Sequence, residues 1–374
     1  MQSILQFPGK ILFGENTIES LGENVVEYGN KCLLVTGQKS TRQSGALQRT
    51  VESLKKRGME SLCFSKVSGE PDCEIVDEVR ALAEKEKVDF IVALGGGSAL
   101  DTAKAAAGLL GQDLPTVEYL NNAPFEYKGI PFMAIPTTSG TGSEITLNSV
   151  LYNPVTGNKK SIAHPCFQAR LSIVDPTLTY SMSPELTAIT GMDALTHAVE
   201  SYTSQKANEA TKALAAKAIK IITVNLVETV RNKNNNNTEG RKMMAWGSMI
   251  AGMAFAQTGV GVAHSISHPL GALFQIPHGL ACAILLPVVI DYNGQVCTEK
   301  YQEIVEMLGY KGEFSSYLRK MIKQLPLPQT LTKAGYKEGQ EEKIVTATFD
   351  TRSIKNNPRM VEKKDVRAIL EKCV

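Results

Sequence analysis

Apolar and polar positions repeat with two different periods along this chain. In the first half, short apolar and β-branched bursts alternate with stretches of helical spacing: KCLLVTG at 31–37, a helical pattern around 41–57, SLCFS at 61–65, a second helix around 73–87, VDFIVALGGG at 88–97, a third helix from 98, and PFMAIPTT at 131–138. Such alternation predicts βαβ units and a parallel sheet with helices on both faces. From about residue 183 the strand signals largely stop. Ser183-Pro184-Glu185 offers a hydroxyl N-cap followed by proline at the first helical position, and the patterns after it are long, rich in Ala and Leu, and helical. The expected organisation is an α/β, Rossmann-like domain over 1–180 followed by an all-α domain over 181–374. The polar stretch RNKNNNNTEG at 231–240 reads as a loop between helices; its sequon, Asn236-Asn237-Thr238, has no meaning in a cytosolic protein.

Composition adds one unexpected feature. The chain has 374 residues, 43% of them apolar and 21% charged, and 40 basic against 38 acidic side chains leave a net charge of +2. That is the composition of a soluble globular protein, with no electrostatic footprint for nucleic acid. Yet the 48 residues from Met243 to Ile290 contain no Asp, Glu, Lys or Arg, where the mean density would place about ten. A run of that length raises a membrane-spanning reading. Its glycines and prolines argue against one, as does the shortness of its purest piece, Leu280 to Ile290, against the roughly 20 apolar residues a spanning helix needs. The N-terminal MQSILQFPGKILFGE has no basic segment leading into an apolar one, so no secretory signal is expected. Seven cysteines, odd in number and without a CxxC, suit reduced thiols in a cytoplasmic protein and speak against a structural zinc built on cysteine.

Three motifs carry chemistry. Gly95-Gly96-Gly97-Ser98-Ala99-Leu100-Asp101 follows a strand and opens a helix, where glycines admit a phosphate and the helix N-terminus offers free N–H groups. Ser98 and Asp101 also have capping-box spacing, so part of this signal is helix initiation; Leu100 stands where a GxGxxG fingerprint would need its third glycine. Pro136-Thr137-Thr138-Ser139-Gly140-Thr141-Gly142-Ser143-Glu144 follows another strand and supplies hydroxyls at its carboxyl end, where ligands of open α/β sheets bind. Two such loops after two parallel strands favour one shared nucleotide site. The third motif joins Asp193 and His197, spaced i, i+4, to His264, His268 and His278 in the charge-free run. A carboxylate and imidazoles without a thiolate suit Fe²⁺, Zn²⁺, Mn²⁺ or a similar ion, and do not choose among them.

With these residues in hand the sequence resembles the iron-containing, group III, alcohol dehydrogenases, relatives of the glycerol dehydrogenases and, in fold, of dehydroquinate synthase. The likeness runs from FGENTIESLG, ending at Gly22, to NNPR at 356–359, and is most specific in GGGSALDTAK at 95–104, PTTSGTGSE at 136–144, GMDALTHAVESY at 191–202 and GVAHSISHPLGALFQIPHG at 261–279. It implies Asp193, His197, His264 and His278 as metal ligands, Fe²⁺ first and Zn²⁺ as the alternative, and His268 beside the reacting carbon in proton relay. It implies Gly96, Gly97, Ser98 and Asp101 at the cofactor pyrophosphate, Thr137, Thr138 and Thr141 near ribose, phosphate and nicotinamide, Leu178 near the adenine, and Lys160 by the catalytic site. His164 matches no ligand and reads as a loop histidine. Homodimers or higher homo-oligomers are the implied assembly.

The implied reaction moves hydride between a small primary alcohol or diol, or its aldehyde, and NAD(P), with the metal as Lewis acid for the oxygen. Many members carry an acid at the end of the LLVT strand to hold the adenosine ribose; here Thr36-Gly37-Gln38-Lys39 stands there, with Arg42 close by. NADP(H) is therefore admitted, although NAD(H) is favoured, because a missing acid permits the extra phosphate without demanding it. Two other readings compete. A lyase of the dehydroquinate synthase type would need cationic residues around a polyanion, which the charge-free run opposes. A non-catalytic metal- or nucleotide-binding relative would have no reason to keep all four ligand-type residues and His268.

Overall fold

The computed structural model describes residues 5–153, 159–232 and 238–374. They form two compact units, Gln6–Ser181 and Met182–Val374, the latter joined by Leu5. The central part of the 231–240 loop reading, including Asn236 and Asn237 of the sequon, lies outside the described residues, as do the first four residues of the N-terminal segment.

The first unit is built on eight strands: β1 (Lys10–Phe13), β2 (Lys31–Gly37), β3 (Glu60–Val67), β4 (Phe90–Gly95), β5 (Phe132–Pro136), β6 (Asn148–Tyr152), β7 (Lys159–Ala163) and β8 (Leu171–Val174). Six make one sheet in the order β1-β8-β5-β4-β2-β3, parallel throughout, while β6 and β7 form a separate antiparallel pair. Alternation along the central strands divides the core in two. Leu33, Val35, Ile91, Ala93, Phe132 and Ala134 fall in one cluster; Cys32, Leu34, Val92, Leu94, Met133 and Ile135 fall in the other. This two-sided burial is why β2, β4 and β5 read as continuous apolar runs. The expected parallel α/β sheet is observed. β1, β8 and the β6–β7 pair were not anticipated: the first two have four residues each, too few to show a period. The helical pattern around 41–57 is two helices, Ser40–Gln43 and Ala46–Lys55, interrupted at Gly45, whose φ of +77° breaks the turn.

The second unit is helical. Its central helix, Pro184–Thr203, starts as expected: the Ser183 hydroxyl accepts from Leu186 N and Pro184 takes the first position. It packs against the helices Glu209–Arg231, Thr238–Thr258 and His278–Met307. The charge-free run supplies most of Thr238–Thr258, all of Val262–Phe274 and the start of His278–Met307. By length and composition His278–Met307 could cross a membrane. Every residue from Gly279 to Ile290 is nevertheless buried, so the run is the interior of a helical unit.

Candidate functional site

In the α/β unit a candidate site lies at the carboxyl ends of β2, β4 and β5. The chain runs outward from β2 to β3, then resumes on the other side of β2 at β4, which makes the β2/β4 boundary the point where strand order reverses and where such sheets bind ligands. Both glycine- and threonine-rich loops leave from here. Thr137 N donates to Gly95 O (2.9 Å), tying the second loop to the first. A Cβ on Gly97 would lie 2.8 Å from Thr141 Cγ2, and one on Gly96 would lie 3.6 Å from Thr138 Cγ2, so the loops bring Gly96, Gly97, Thr138 and Thr141 together. The helix Gly97–Gly108 begins after Gly96 with no side chain capping it. An uncapped helix N-terminus behind a glycine is a seat for a phosphate. Gly97→Ala is expected to cost about 1–3 kcal/mol through this contact and to raise KM for the nicotinamide nucleotide. Unchanged thermal stability and cofactor kinetics would refute it.

Two expectations here need correction. Ser98 and Asp101 do not form a capping box, because the helix starts at Gly97 and its N-cap is Gly96. Nor is the Asp101 carboxylate presented to a pyrophosphate, which it would repel. It accepts from Ser143 Oγ and from Val150 N (3.0 Å), and so pins the start of the helix to the second loop and to β6. Burial pushes its carboxyl up, against the pull of Lys104 and Ser143. Gly37 ends β2 near Gly95: its N lies 3.9 Å from where a Gly95 Cβ would be. Leu178 sits in the short turn Pro176–Thr179 after β8, packed into one of the two sheet cores. Lys160 lies on β7 and donates to Asn121 Oδ1 (3.3 Å). His164 N-caps the turn Pro165–Phe167 through Nδ1.

The helical unit carries a separate group of candidate residues. Asp193 lies on Pro184–Thr203, His264 on Val262–Phe274, and His278 opens His278–Met307. Asp193 Oδ1 is 3.6 Å from both His264 Nε2 and His278 Nε2. Two donors about 2.1 Å from one tetrahedral ion stand about 3.4 Å apart, so this spacing fits a shared metal. Gly279 makes the approach feasible, since a Cβ there would meet Ile189 O at 2.3 Å and Asp193 Cβ at 3.0 Å. Asp193 Oδ1 and His264 Nε2 are buried without a hydrogen-bond partner, as ligands awaiting an ion would be.

Neighbouring groups fix the rings. His264 Nδ1 bonds Glu200 Oε2 (2.6 Å), and the same carboxylate accepts from Gly261 N (2.6 Å) and Ala263 N (2.7 Å). Ser267 Oγ donates to His264 O (2.8 Å), which leaves it to accept from His278 Nδ1 (3.0 Å). Both rings are thus held through Nδ1, and Nε2 of each faces Asp193. Burial opposes charge on Asp193, but His197, His264 and His278 together hold its carboxyl well below the usual range. Burial likewise opposes charge on His264, and Cys282, Glu200 and Asp193 outweigh it, leaving the ring well above its ordinary value.

His197, one turn after Asp193, is stacked between Phe255 (4.1 Å between ring centroids) and His264 (4.3 Å). His268 stacks on His278 at 5.1 Å. Among the described residues, the donor atoms that all lie within 4.8 Å of one another come from Asp193, His264, His278 and Cys282. This group has a thiol where the expected donor set has the His197 imidazole. Cys282 had a signal in the sequence, because it follows His278 at i+4, the spacing that singled out Asp193 and His197. Glu200 had one too, as the acid one further turn along the face of Asp193 and His197. Glu200→Gln keeps the shape but weakens its hold on the His264 ring, and metal affinity should fall by about 10–100-fold. Equal affinity in chelator competition would rule out this role.

Comparison with known proteins now bears on both groups of residues. The sequence pattern described as "Iron-containing alcohol dehydrogenase" matches residues 8–176, and that described as "Fe-containing alcohol dehydrogenase family, C-terminal" matches residues 187–374. The chain is 36% identical to long-chain-alcohol dehydrogenase 1 of Geobacillus thermodenitrificans, over 98% of this chain and 95% of that one. It is 33% identical to an NADPH-dependent butanol dehydrogenase of Clostridium saccharobutylicum, over 98% and 96%. In structure it is similar to a 1,3-propanediol oxidoreductase at a TM-score of 0.95, with 33% identity and all of both chains covered.

Proposed function

Since the chain belongs to the iron-containing alcohol dehydrogenase family and is an NAD(P)-linked oxidoreductase, we propose that it interconverts small primary alcohols or diols with their aldehydes, using Asp193, His197, His264 and His278 to hold Fe²⁺. The observation that carries this reading is the convergence of Asp193 Oδ1, His264 Nε2 and His278 Nε2, the first two buried and without hydrogen-bond partners. When bound there, a divalent ion supplies a Lewis acid for the substrate oxygen, and the nicotinamide supplies the hydride acceptor or donor.

The chain's own residues do the rest. Glu200 and Ser267 hold the His264 and His278 rings by Nδ1, which aims the other ring nitrogen of each at Asp193. His268, half-buried against His278, is the proposed proton carrier for the substrate oxygen, passing it through an imidazole nitrogen. The uncharged residues around these histidines exclude water, which strengthens the field at the donors. Gly96, Gly97 and Ser98 would seat the pyrophosphate at the uncapped helix start, with Thr137, Thr138 and Thr141 beside it. Asp101 would act by holding that loop. Lys160 and Leu178 have no supporting contact for a role with substrate or adenine.

NAD is the proposed nucleotide, with NADP the alternative: the lack of an acid after β2 admits a 2′-phosphate but does not compel one, and Arg42 donates to Ser65 Oγ (3.2 Å). A cytoplasmic homodimer or larger homo-oligomer is the proposed working form, consistent with seven unpaired cysteines. The test is a panel of short alcohols, diols and aldehydes with Fe²⁺- or Zn²⁺-loaded protein and each nucleotide, followed by the absorbance of reduced nicotinamide. Turnover of a short alcohol or diol, faster with NAD⁺ than with NADP⁺, is expected. No turnover of any alcohol or aldehyde would sink the reading.

A further inference from the structure

His278 opens a helix, and Cys282 follows one turn later on the same face. Its thiol is fully buried, and Sγ lies 4.0 Å from His278 Nε2. The Cys282 sulfur completes a group of four in which every donor atom is within 4.8 Å of the others: a carboxylate, two imidazoles and a thiol. Two members of this group, Asp193 Oδ1 and His264 Nε2, are buried atoms with no hydrogen-bond partner, and a thiol is too weak a hydrogen-bonding group to satisfy them. An ion would. For a tetrahedral zinc with bonds of about 2.3 Å to sulfur and about 2.05 Å to nitrogen, those two donors stand about 3.6 Å apart, so Cys282 needs to close by only a few tenths of an ångström.

We propose that Cys282 is a metal donor in its own right, which captures a thiophilic ion such as Zn²⁺ in a set with Asp193, His264 and His278. On coordination the S–H bond breaks, its proton goes to solvent, and the sulfur lone pair bonds the ion; nothing is oxidised or reduced. Softness decides when this happens. Thiolate favours Zn²⁺ over ions such as Mn²⁺, which prefer oxygen and nitrogen donors. Held with Asp193, His264 and His278, the Cys282 thiolate stands where the catalytic reading has the His197 imidazole, and so offers the same ion a softer donor set. The inference rests on the reading that Asp193, His264 and His278 hold an ion, and it adds a ligand that the reading does not contain.

The test uses the full chain stripped of metal, wild type and Cys282→Ser, titrated with Co²⁺, Zn²⁺ and Mn²⁺. Wild type should show a thiolate-to-cobalt charge-transfer band in the near ultraviolet, and the variant should lack it. Zn²⁺ affinity, by chelator competition, should fall about tenfold or more in the variant, while Mn²⁺ affinity stays the same. Co²⁺ bound to wild type without that band, or equal Zn²⁺ affinity in both proteins, overturns the role of Cys282 and leaves the metal site standing. Parallel loss of Mn²⁺ binding in the variant also overturns it, because Cys282 would then be supporting the fold. Failure of wild type to bind any of the three ions refutes both the inference and the reading beneath it.

Discussion

Asp193→Ala should abolish bound metal and turnover together. Asp193 is the only carboxylate among the converging donors, and its Oδ1 faces both His264 Nε2 and His278 Nε2 at 3.6 Å. Without it the ion loses its single anionic oxygen ligand and the point around which the two rings are arranged. A metal serving as Lewis acid contributes several kcal/mol of transition-state stabilisation, so kcat/KM should fall by about a thousandfold or more. His278→Ala should behave in the same direction, since its ring is fixed by Ser267 for the same purpose. Metal per chain by elemental analysis, read beside steady-state kinetics, checks both. An Asp193→Ala protein that keeps a full complement of metal would refute the assignment.

Lys104→Ala should be the most destabilising change in the α/β unit. Lys104 has no side-chain exposure, and its three protons are shared among Ser143 O (2.7 Å), Ser143 Oγ (3.0 Å), Thr146 Oγ1 (3.0 Å) and Asn148 O (2.9 Å), with Asp101 Oδ1 3.8 Å away. Burial pulls its ammonium down to about 8, and Asp101 and Glu144 pull it back up. Burial also pushes Glu144 up to about 7. Removing the cation leaves Asp101 buried without its neutralising partner and takes a donor from Ser143 O, Ser143 Oγ, Thr146 Oγ1 and Asn148 O. Breaking a buried pair from one side costs about 3–5 kcal/mol, which lowers the melting midpoint of a domain this size by roughly 10 °C. The second loop loses its anchor at the same stroke, so the nucleotide KM should rise as well. A midpoint within a degree or two of wild type would overturn the argument.

Legibility in the sequence followed the physics of each element. Strands β2, β4 and β5 were plain because burial on both faces leaves unbroken apolar runs; β1 and β8 were not, having four residues each. Asp193, His197, His264 and His278 stood out because histidine is scarce and three of the five lie where every charge is missing. Cys282 and Glu200 were hidden by a different cause. A cysteine in an apolar helix looks like core, and an acid in an alanine-rich helix looks like surface. Only the packing of three helices brings one to the donors and the other behind a ring. Asp101 failed in the opposite way: its motif was correct, but its carboxylate faces Ser143 and Val150, residues about forty positions later. Such pairings depend on the fold and have no local trace.

The origin of the proposed metal donors in three separate helices also bears on the order of events as the chain folds. Asp193, His264 and the pair His278 and Cys282 reach one another only after Pro184–Thr203, Val262–Phe274 and His278–Met307 have docked, so no short stretch of nascent chain presents a complete site. Docking of long-range contacts is the slow step of folding, and the ion must arrive behind it. It therefore cannot nucleate the domain, as zinc does for a zinc finger. It binds a native scaffold and stabilises it in proportion to the logarithm of its free concentration. A cell short of the metal would accumulate folded but empty protein that can be charged later, rather than unfolded chains.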